Sequence, residues 1–231
     1  MQLRADVALI DIEGTVGSIA FVRDVLFPYA RDRMNAYVDK HQEDPQVRAL
    51  LDQTAREAQV DVHDLPGILS ALHAWADEDR KVTVLKELQG LIWVEGFESS
   101  GLRGHLFDDA VSALRRFHRA GVKLHVYSSG SVAAQKLLFG HSVAGDLIPL
   151  LSGFYDTAIG GKQHAESYVK IANDIGARPE RIVFFSDNER ELDAAHDAGV
   201  QTVQLARPSD GTLPSPRHPV AETFEGIDLL P

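Results

Sequence analysis

Three stretches of the sequence decide the fold: VALID (residues 7–11), KLHVYSS (123–129) and RIVFFSD (181–187). Each is a short apolar run rich in β-branched or aromatic residues, and each ends in small or acidic side chains. Continuous apolar runs of this kind are typical of parallel strands that are covered on both faces. We therefore predict strands at residues 7–10, 122–127 and 182–185, with a fourth at 200–205.

Segments of helical periodicity separate these strands in the second half of the chain. One begins at Asp108 and Asp109, which we expect to cap the helix, and stops at Gly121. A second covers residues 168–175, and a third begins near Asn188. This alternation of strand and helix predicts an α/β fold, an open parallel sheet with helices on both faces.

The first half of the chain departs from this alternation. After the strand at residues 7–10 the next convincing strand begins only near residue 122, and residues 18–102 show mostly helical patterns. A connection between a strand and a helix usually takes a few residues. We therefore predict an all-helical cap, residues 18–102, inserted after the first strand of a core formed by residues 1–17 and 103–231. The Pro-rich end should form an extended tail over the core, with a short strand near 222–225.

Composition excludes several classes of function. The 231 residues include 23 Lys and Arg against 34 Asp and Glu, a net charge of −11. Because such a surface repels phosphate backbones and anionic lipids, we expect neither a nucleic-acid nor a membrane partner. The absence of cysteine excludes disulfides and thiol nucleophiles. The start, MQLRADVALIDIEG, holds only a four-residue apolar run, so we expect no signal peptide or membrane span and a cytoplasmic protein.

Polar residues of the types that carry out catalysis or bind ligands follow the three strands. The first strand leads into Asp11 and Glu13, the second into Ser128 and Ser129, and the third into Asp187. Ligands of open parallel sheets bind beyond the carboxyl ends of the strands. Carboxylates gathered there repel one another unless a hard cation such as Mg²⁺ neutralises them. A single aspartate could instead cap the following helix, but capping explains the three strand ends together less well.

Other phosphate-binding signatures are incomplete. The segment Gly160-Gly161-Lys162 looks like part of a Walker A loop, but Gln163 stands where that loop needs Ser or Thr. No GxGxxG stands at a strand–helix turn, so a dinucleotide site has no support. Ser128 lies in no GxSxG elbow because Val126 occupies the first glycine position, which argues against a serine hydrolase. By itself Lys162 is interpreted as a solvated surface lysine.

Taken in order, the motifs resemble those of the haloacid dehalogenase superfamily, whose helical cap is inserted at the same place. The matching positions are DIEGT (11–15), Ser128-Ser129, Lys162 and Ser186-Asp187. Within that superfamily the chain is similar to the acireductone synthase family, the enolase-phosphatases of methionine salvage. The similarity includes Glu13 in place of the usual second Asp and the long stretches SIAFVRDVLFPYARDRM (18–34), VLKELQGLIWVEGF (84–97) and VYSSGSVAAQKLLFGHS (126–142).

The resemblance implies roles for these residues. Asp11 would be the nucleophile, Glu13 an acid and base, and Lys162 both a catalytic residue and, with Ser128 and Ser129, a substrate-binding residue. One Mg²⁺ ion per subunit would be held by Asp11, Glu13 and Asp187, with Glu13 contributing its backbone carbonyl.

The resemblance also implies the reaction. A small phosphorylated diketone, 2,3-diketo-5-methylthiopentyl 1-phosphate, would be enolised and then dephosphorylated to acireductone by a monomeric enzyme. The alternative is a magnesium-dependent phosphatase of the same superfamily that acts on another small monoester and has no enolase activity. The two are distinguished by whether the diketone is turned over far faster than generic phosphate esters.

Overall fold

The computed structural model describes residues 1–99 and 101–231. The strands, in chain order, are β1 Gln2–Arg4, β2 Val7–Ile10, β3 Lys123–Tyr127, β4 Leu151–Tyr155, β5 Ile182–Ser186, β6 Gln201–Leu205, β7 Val220–Ala221 and β8 Asp228–Leu230. The α-helices are α1 Ile19–Phe21, α2 Phe27–His41, α3 Pro45–Ala58, α4 Leu65–Asp77, α5 Thr83–Ser99, α6 Asp108–Arg119, α7 Val132–Gly140, α8 Ala165–Ile175 and α9 Glu189–Asp197. A π-helix covers Val22–Leu26, and short 3₁₀ helices cover Ile148–Leu150, Pro179–Arg181 and Pro208–Asp210.

The chain divides into two compact units. The first consists of Met1–Phe21 and Arg103–Pro231, and the second of Val22–Leu102. The first unit contains a six-stranded sheet in the order β4-β3-β2-β5-β6-β7, and β1 pairs with β8 in a small separate sheet. Every pair of neighbouring strands runs parallel. The predicted α/β fold with an open parallel sheet is confirmed.

Side chains that alternate along the strands build a core on each face of the sheet. On one face Ile10 and Phe185 pack in a buried cluster with Phe117 of α6. On the other face Leu9 belongs to a second cluster that includes Tyr168 of α8. Each such side chain contributes about 1.5–3 kcal/mol when it is fully buried. Burial on both faces explains why these strands have continuous apolar sequences.

The second unit consists of helices in its described residues. Helix α2 packs against α4 and α5, and α3 packs against α4 and α5. Met34, Leu72 and Leu88 are fully buried, and the indole Nε1 of Trp93 donates to the Leu26 carbonyl oxygen at 2.9 Å. Across the described residues of both units, no helix is both long and apolar enough to cross a membrane.

Four of the predicted strands are confirmed, with β2 matching residue for residue and β3, β5 and β6 agreeing to within one residue. The prediction of a strand near residues 222–225 is wrong. The chain instead pairs through Val220–Ala221 with β6 and through Asp228–Leu230 with β1. The prediction that Asp108 and Asp109 cap α6 is also wrong, because Phe107 is the N-cap residue and makes no side-chain capping hydrogen bond.

Candidate active site

The register of the sheet brings three chain segments to one edge. Ile10, the last residue of β2, pairs with Val126 of β3 on one side and with Phe185 of β5 on the other. Asp11, Ser128 and Asp187 follow within two residues of these pairs, so they leave the sheet at the same level. They line a cavity of about 190 Å³ together with Glu13, Ser129, Lys162, Ile19, Asn188 and Glu191. The structure thus brings together every site residue that the sequence predicts.

Lys162 is the only cationic side chain among the residues that line this cavity. Its Nζ lies 2.6 Å from Oδ1 of Asp11 and 2.6 Å from Oε2 of Glu191. The residue is 7% exposed, which contradicts the interpretation as a solvated surface lysine drawn from its sequence surroundings alone. A buried lysine needs a paired charge, and these two carboxylates supply it.

Aromatic and serine hydroxyls fix the loop that carries Lys162. Tyr127 donates to the Gly160 carbonyl oxygen at 2.8 Å, and Ser167 donates to that of Gly161 at 2.8 Å. Tyr168 donates to the Lys162 carbonyl oxygen at 2.7 Å. Three consecutive carbonyl groups are therefore held by side chains of β3 and α8, so the ammonium reaches the cavity from a fixed backbone.

Glu191 belongs to the site although sequence reasoning missed it. It lies in α9, four residues after Asp187, and is buried beside Lys162. The Ser186 hydroxyl lies 3.0 Å from Oε2 of Glu191 and 3.4 Å from Oδ2 of Asp11, and it accepts from the Asn188 amide. Asp187 lies outside α9, which begins at Glu189, so the spacing of the two carboxylates is not a helical one and local sequence offers no signal for Glu191.

Glu189, which directly follows Asn188 in the predicted strand-end motif, takes part in a different set of contacts. Its carboxylate accepts from the Ser215 hydroxyl and from Arg217 Nε, both in the Pro-rich tail. The acidic residues that follow β5 therefore alternate between the cavity and the tail. The sequence alone does not distinguish the two groups.

The electrostatics of the cavity are dominated by negative charge. Its lining includes the four carboxylates of Asp11, Glu13, Asp187 and Glu191 against the single Lys162 ammonium. Desolvation, followed by the charges of Asp11 and Glu191, raises the pKa of Asp187 to about 7. Desolvation opposes the charge on Lys162, but the neighbouring carboxylates outweigh it and raise the lysine pKa above its ordinary value. Lys162 is therefore positively charged at neutral pH.

The loop after Asp11 lies directly against Asp187. Gly14 has a φ of +70°, and a Cβ atom built on it would lie 2.6 Å from Oδ2 of Asp187. The turn is closed because the amides of Thr15, Val16 and Gly17 donate to the Ile12 carbonyl oxygen. A side chain at position 14 would strain the backbone and displace the Asp187 carboxylate, so glycine is required here on two counts.

A buried arginine supports the same loop. Nε of Arg207 donates to the Thr15 carbonyl oxygen at 2.7 Å, and its two terminal nitrogens bind the carboxylate of Asp109 at 3.1 and 2.9 Å. Asp109 in turn accepts from the Phe224 amide at 2.8 Å. The guanidinium group thus joins the loop after Asp11 to α6, and Asp109 extends this link to the C-terminal segment.

Comparisons with known proteins agree with this fold. A model of the haloacid dehalogenase-like hydrolase family matches residues 5–199. The class defined by the parallel sheet, its strand-end aspartates and the buried lysine is therefore that of the haloacid dehalogenase-like hydrolases.

Similarity to individual proteins identifies the family within this class more closely. The chain is 47% identical to "Enolase-phosphatase E1" of Thioalkalivibrio sulfidiphilus, in a match that covers 96% of this chain and 99% of that protein. It is 48% identical to "Enolase-phosphatase E1" of Methylococcus capsulatus, with 95% and 96% covered. The crystal structure of the UTR4 protein of Saccharomyces cerevisiae superposes with a TM-score of 0.82 at 34% identity, covering 96% of this chain and 100% of that one. The chain therefore belongs to the enolase-phosphatase family within the haloacid dehalogenase-like hydrolases, and the resemblance found in its motifs is confirmed.

Proposed function

We propose that this chain is a bifunctional enolase-phosphatase that converts 2,3-diketo-5-methylthiopentyl 1-phosphate to acireductone and inorganic phosphate in methionine salvage. It is a phosphoric monoester hydrolase, in keeping with the family to which it belongs. The single observation that carries the residue assignment is the buried contact of 2.6 Å between Lys162 Nζ and Oδ1 of Asp11. It places a fixed positive charge beside the carboxylate that follows β2, in the lining of the cavity.

Asp11 is the proposed nucleophile. One of its carboxylate oxygens attacks phosphorus, an aspartyl phosphate forms, and the bond between phosphorus and the substrate ester oxygen breaks. The departing oxygen takes a proton from the Glu13 carboxyl group. A water molecule then attacks the phosphorus and gives its proton to Glu13, which restores the Asp11 carboxylate and releases phosphate. Splitting the reaction in this way lowers the barrier of a hydrolysis whose enzymatic acceleration approaches ~10²¹-fold.

Lys162, Ser128 and Ser129 are the proposed phosphate-binding residues. The Lys162 ammonium is charged at neutral pH because its two carboxylate neighbours raise its pKa. The Ser128 side chain is buried, and its Oγ accepts from the Gly130 amide at 3.2 Å, so its hydroxyl hydrogen can be directed elsewhere. Donors fixed in advance around developing charge are among the strongest contributors to phosphoryl and acyl transfer.

The residues present fit one Mg²⁺ ion. Asp11 and Asp187 bring hard oxygen ligands to the same cavity, and the close approach of Gly14 to Asp187 puts the Asp11–Gly14 loop beside them. In the described ranges no three His, Asp or Glu side chains form a metal-binding group by themselves. In the proposed site Asp11 and Asp187 would contribute side-chain ligands and Glu13 its backbone carbonyl. When bound, Mg²⁺ would offset the excess of carboxylates and draw electron density from the phosphate.

Enolisation requires a base for a proton on a carbon next to a carbonyl group. Glu13 is the residue that we propose for it, because it lines the cavity and is one methylene group longer than the aspartate usual at this position in the superfamily. Glu13→Gln should then abolish enolisation as well as phosphate release. An undiminished enolisation rate in this variant would exclude Glu13 as the base.

The decisive experiment follows enediol absorbance and phosphate release together on the diketo phosphate, with Mg²⁺ and then with excess EDTA. We expect absorbance to rise before phosphate appears and both signals to be lost in EDTA. Asp11→Asn should abolish phosphate release, and a variant as active as the wild type would exclude Asp11 as the nucleophile. Hydrolysis of simple monoesters without turnover of the diketone would leave the alternative, a capped phosphatase without enolase activity.

The biological setting forms part of the same proposal. We propose a monomeric cytoplasmic enzyme whose partner is its small phosphorylated substrate. Support comes from the acidic net charge of −11, which disfavours polyanionic partners such as nucleic acids.

A further inference from the structure

The side-chain amide of Gln204 lies behind the site and makes three hydrogen bonds. Gln204 is 2% exposed. Its Nε2 donates to the backbone carbonyl oxygens of Asp187 at 2.9 Å and Leu213 at 3.2 Å, and its Oε1 accepts from the Ser215 amide at 2.7 Å. An amide is the side-chain group that supplies two donors and an acceptor in this arrangement.

The position of Gln204 in the sheet explains why its side chain reaches the backbone of Asp187. Gln204 belongs to β6 and pairs with Ser186, the last residue of β5 and the one before Asp187. On its other side Gln204 pairs with Val220 of β7. The side chain therefore bridges the point where the chain leaves β5 and the point where the Pro-rich tail crosses the end of β6.

The Pro-rich tail also binds α9, on the side of the helix away from the cavity. We define the tail segment as residues 213–218. Arg217 forms ion pairs with Glu189 at 3.2 Å and Asp193 at 2.8 Å, and His218 contacts Asp193 at 3.0 Å and Thr202 at 2.9 Å. These contacts lie on the outer side of α9, whereas Glu191 faces Lys162. The tail segment and Gln204 together hold both the start of α9 and the backbone of Asp187.

We propose that Gln204 is a positioning residue for the divalent-cation site, acting by fixing the main chain of Asp187 against the tail segment; the inference rests on the proposed function for its cation. Gln204 touches neither substrate nor the reacting atoms. Its effect is on where the Asp187 carboxylate stands when the cation binds. Groups that orient metal ligands in this way typically change metal affinity by about 10–100-fold when they are removed.

The same strand provides a matched control. Nε2 of Gln201 donates to the carbonyl oxygens of Arg4 at 2.7 Å and Glu180 at 2.8 Å, so it also bridges two carbonyl groups. Gln201 stands at the opposite end of β6 and lines no part of the cavity. Replacing either glutamine by methionine keeps length and volume while removing two side-chain donors.

The experiment compares Gln204→Met, Gln204→Glu and Gln201→Met with the wild type in the full chain. Mg²⁺ affinity is measured by titration calorimetry on the protein alone, and phosphate release is measured against Mg²⁺ concentration. We expect both Gln204 variants to bind Mg²⁺ ~10–100-fold more weakly, with a maximal rate at saturating Mg²⁺ within a few-fold of the wild type. Gln201→Met should match the wild type in both readouts. Gln204→Glu keeps the acceptor for Ser215, so it serves if the methionine variant does not fold.

The outcomes separate this inference from the proposed function. Equal Mg²⁺ affinity in the Gln204 variants and Gln201→Met overturns the inference and leaves the proposed function intact. A wild type that binds Mg²⁺ but does not turn over the diketo phosphate overturns the proposed function, and the affinity comparison still decides the inference. A wild type that binds no Mg²⁺ overturns both.

Discussion

Lys162 and Glu191 form a buried ion pair of 2.6 Å in which the lysine also contacts Asp11 at 2.6 Å. The carboxylates of Asp11 and Glu191 therefore share the single ammonium group of Lys162. Desolvation, and then the negative charge of Asp11, raises the pKa of Glu191 above its ordinary value. The arrangement fixes Lys162 and places an additional negative charge beside Asp11, the proposed nucleophile.

Replacing Lys162 by methionine should abolish activity and destabilise the fold. Two buried carboxylates lose their common partner, which costs about 3–5 kcal/mol for a buried pair broken on one side. The double variant Lys162→Met, Glu191→Gln should recover part of that free energy of unfolding, because one unpaired carboxylate is removed, but it should recover no activity. Urea unfolding and phosphate release measure the two effects. Equal stability of the single and double variants would contradict the shared-partner interpretation.

Gly14→Ala should strongly reduce the rate of phosphate release while lowering the free energy of unfolding only moderately. The left-handed backbone costs about 1–2 kcal/mol for a non-glycine residue. In addition, the new Cβ would lie 2.6 Å from Oδ2 of Asp187 and would push the carboxylate away. We expect phosphate release to fall by ~10-fold or more, as for other disturbed metal-ligand surroundings.

Gly176→Ala is the control for this prediction. Gly176 has a φ of +71°, and a Cβ atom there would meet no heavy atom within 4 Å. The melting temperatures of the two variants should therefore fall by similar amounts, while Gly176→Ala keeps the wild-type rate of phosphate release. Loss of activity in both would assign the effect to backbone strain and not to Asp187.

The strands and the strand-end residues of the site could be predicted because both depend on local sequence. A strand covered on both faces must be apolar throughout, and parallel strands with a common register deliver their next residues to one edge. Strand β4 escaped prediction because Ser152 and Gly153 interrupt its apolar sequence and its burial is incomplete at the sheet edge. Glu191 and Gln204 could not be predicted because their roles depend on partners elsewhere in the chain. Glu191 pairs with Lys162, and Gln204 binds the backbone of Asp187 and the tail segment.

The function of Asp109 was likewise inaccessible from local pattern. A pair of aspartates at the start of a helix favours capping, and nothing nearby indicates that Asp109 binds Arg207 across 98 positions of the chain. The correct partner is found only when the C-terminal segment returns to the core. Long-range ion pairs of this kind carry no periodicity from which they could be inferred.

Asp109→Asn should therefore destabilise the first unit strongly. The side chain of Arg207 is 5% exposed, so its buried charge would lose the carboxylate of Asp109 with which it pairs, at about 3–5 kcal/mol. Asp108→Asn is the control, since Asp108 is exposed in the same first turn and its loss should cost about 0.3–1 kcal/mol through the helix dipole. Denaturant unfolding measures both. Equal losses in the two variants would show that Asp109 acts only through the helix terminus.

His125 should make the protein less stable in mild acid. Burial, and then the charge of Lys123, lowers the pKa of His125 to about 4, and neither ring nitrogen has a hydrogen-bond partner in the described part of the chain. The groups that face it are Lys123, which disfavours its protonation, and Asp174, which favours it, with Tyr155 stacked beside the ring. An unfolded histidine binds its proton near pH 6.5, so between about pH 6.5 and 4 the unfolded chain holds more protons than the folded one. This difference lowers the free energy of unfolding as the pH falls, by at most about 1.4 kcal/mol per pH unit.

His125→Leu should remove this contribution, because leucine fills a similar volume and does not titrate. We expect the variant to lose less stability than the wild type between about pH 7 and 4, as measured by urea unfolding at several pH values. His63→Gln, a change at an exposed histidine, should keep the wild-type pH dependence. If His125→Leu and the wild type lost stability in parallel over this range, the buried imidazole would not be the group that takes up the proton on unfolding. A smaller loss in the leucine variant alone assigns the acid sensitivity to His125, since the two proteins share every other titrating group.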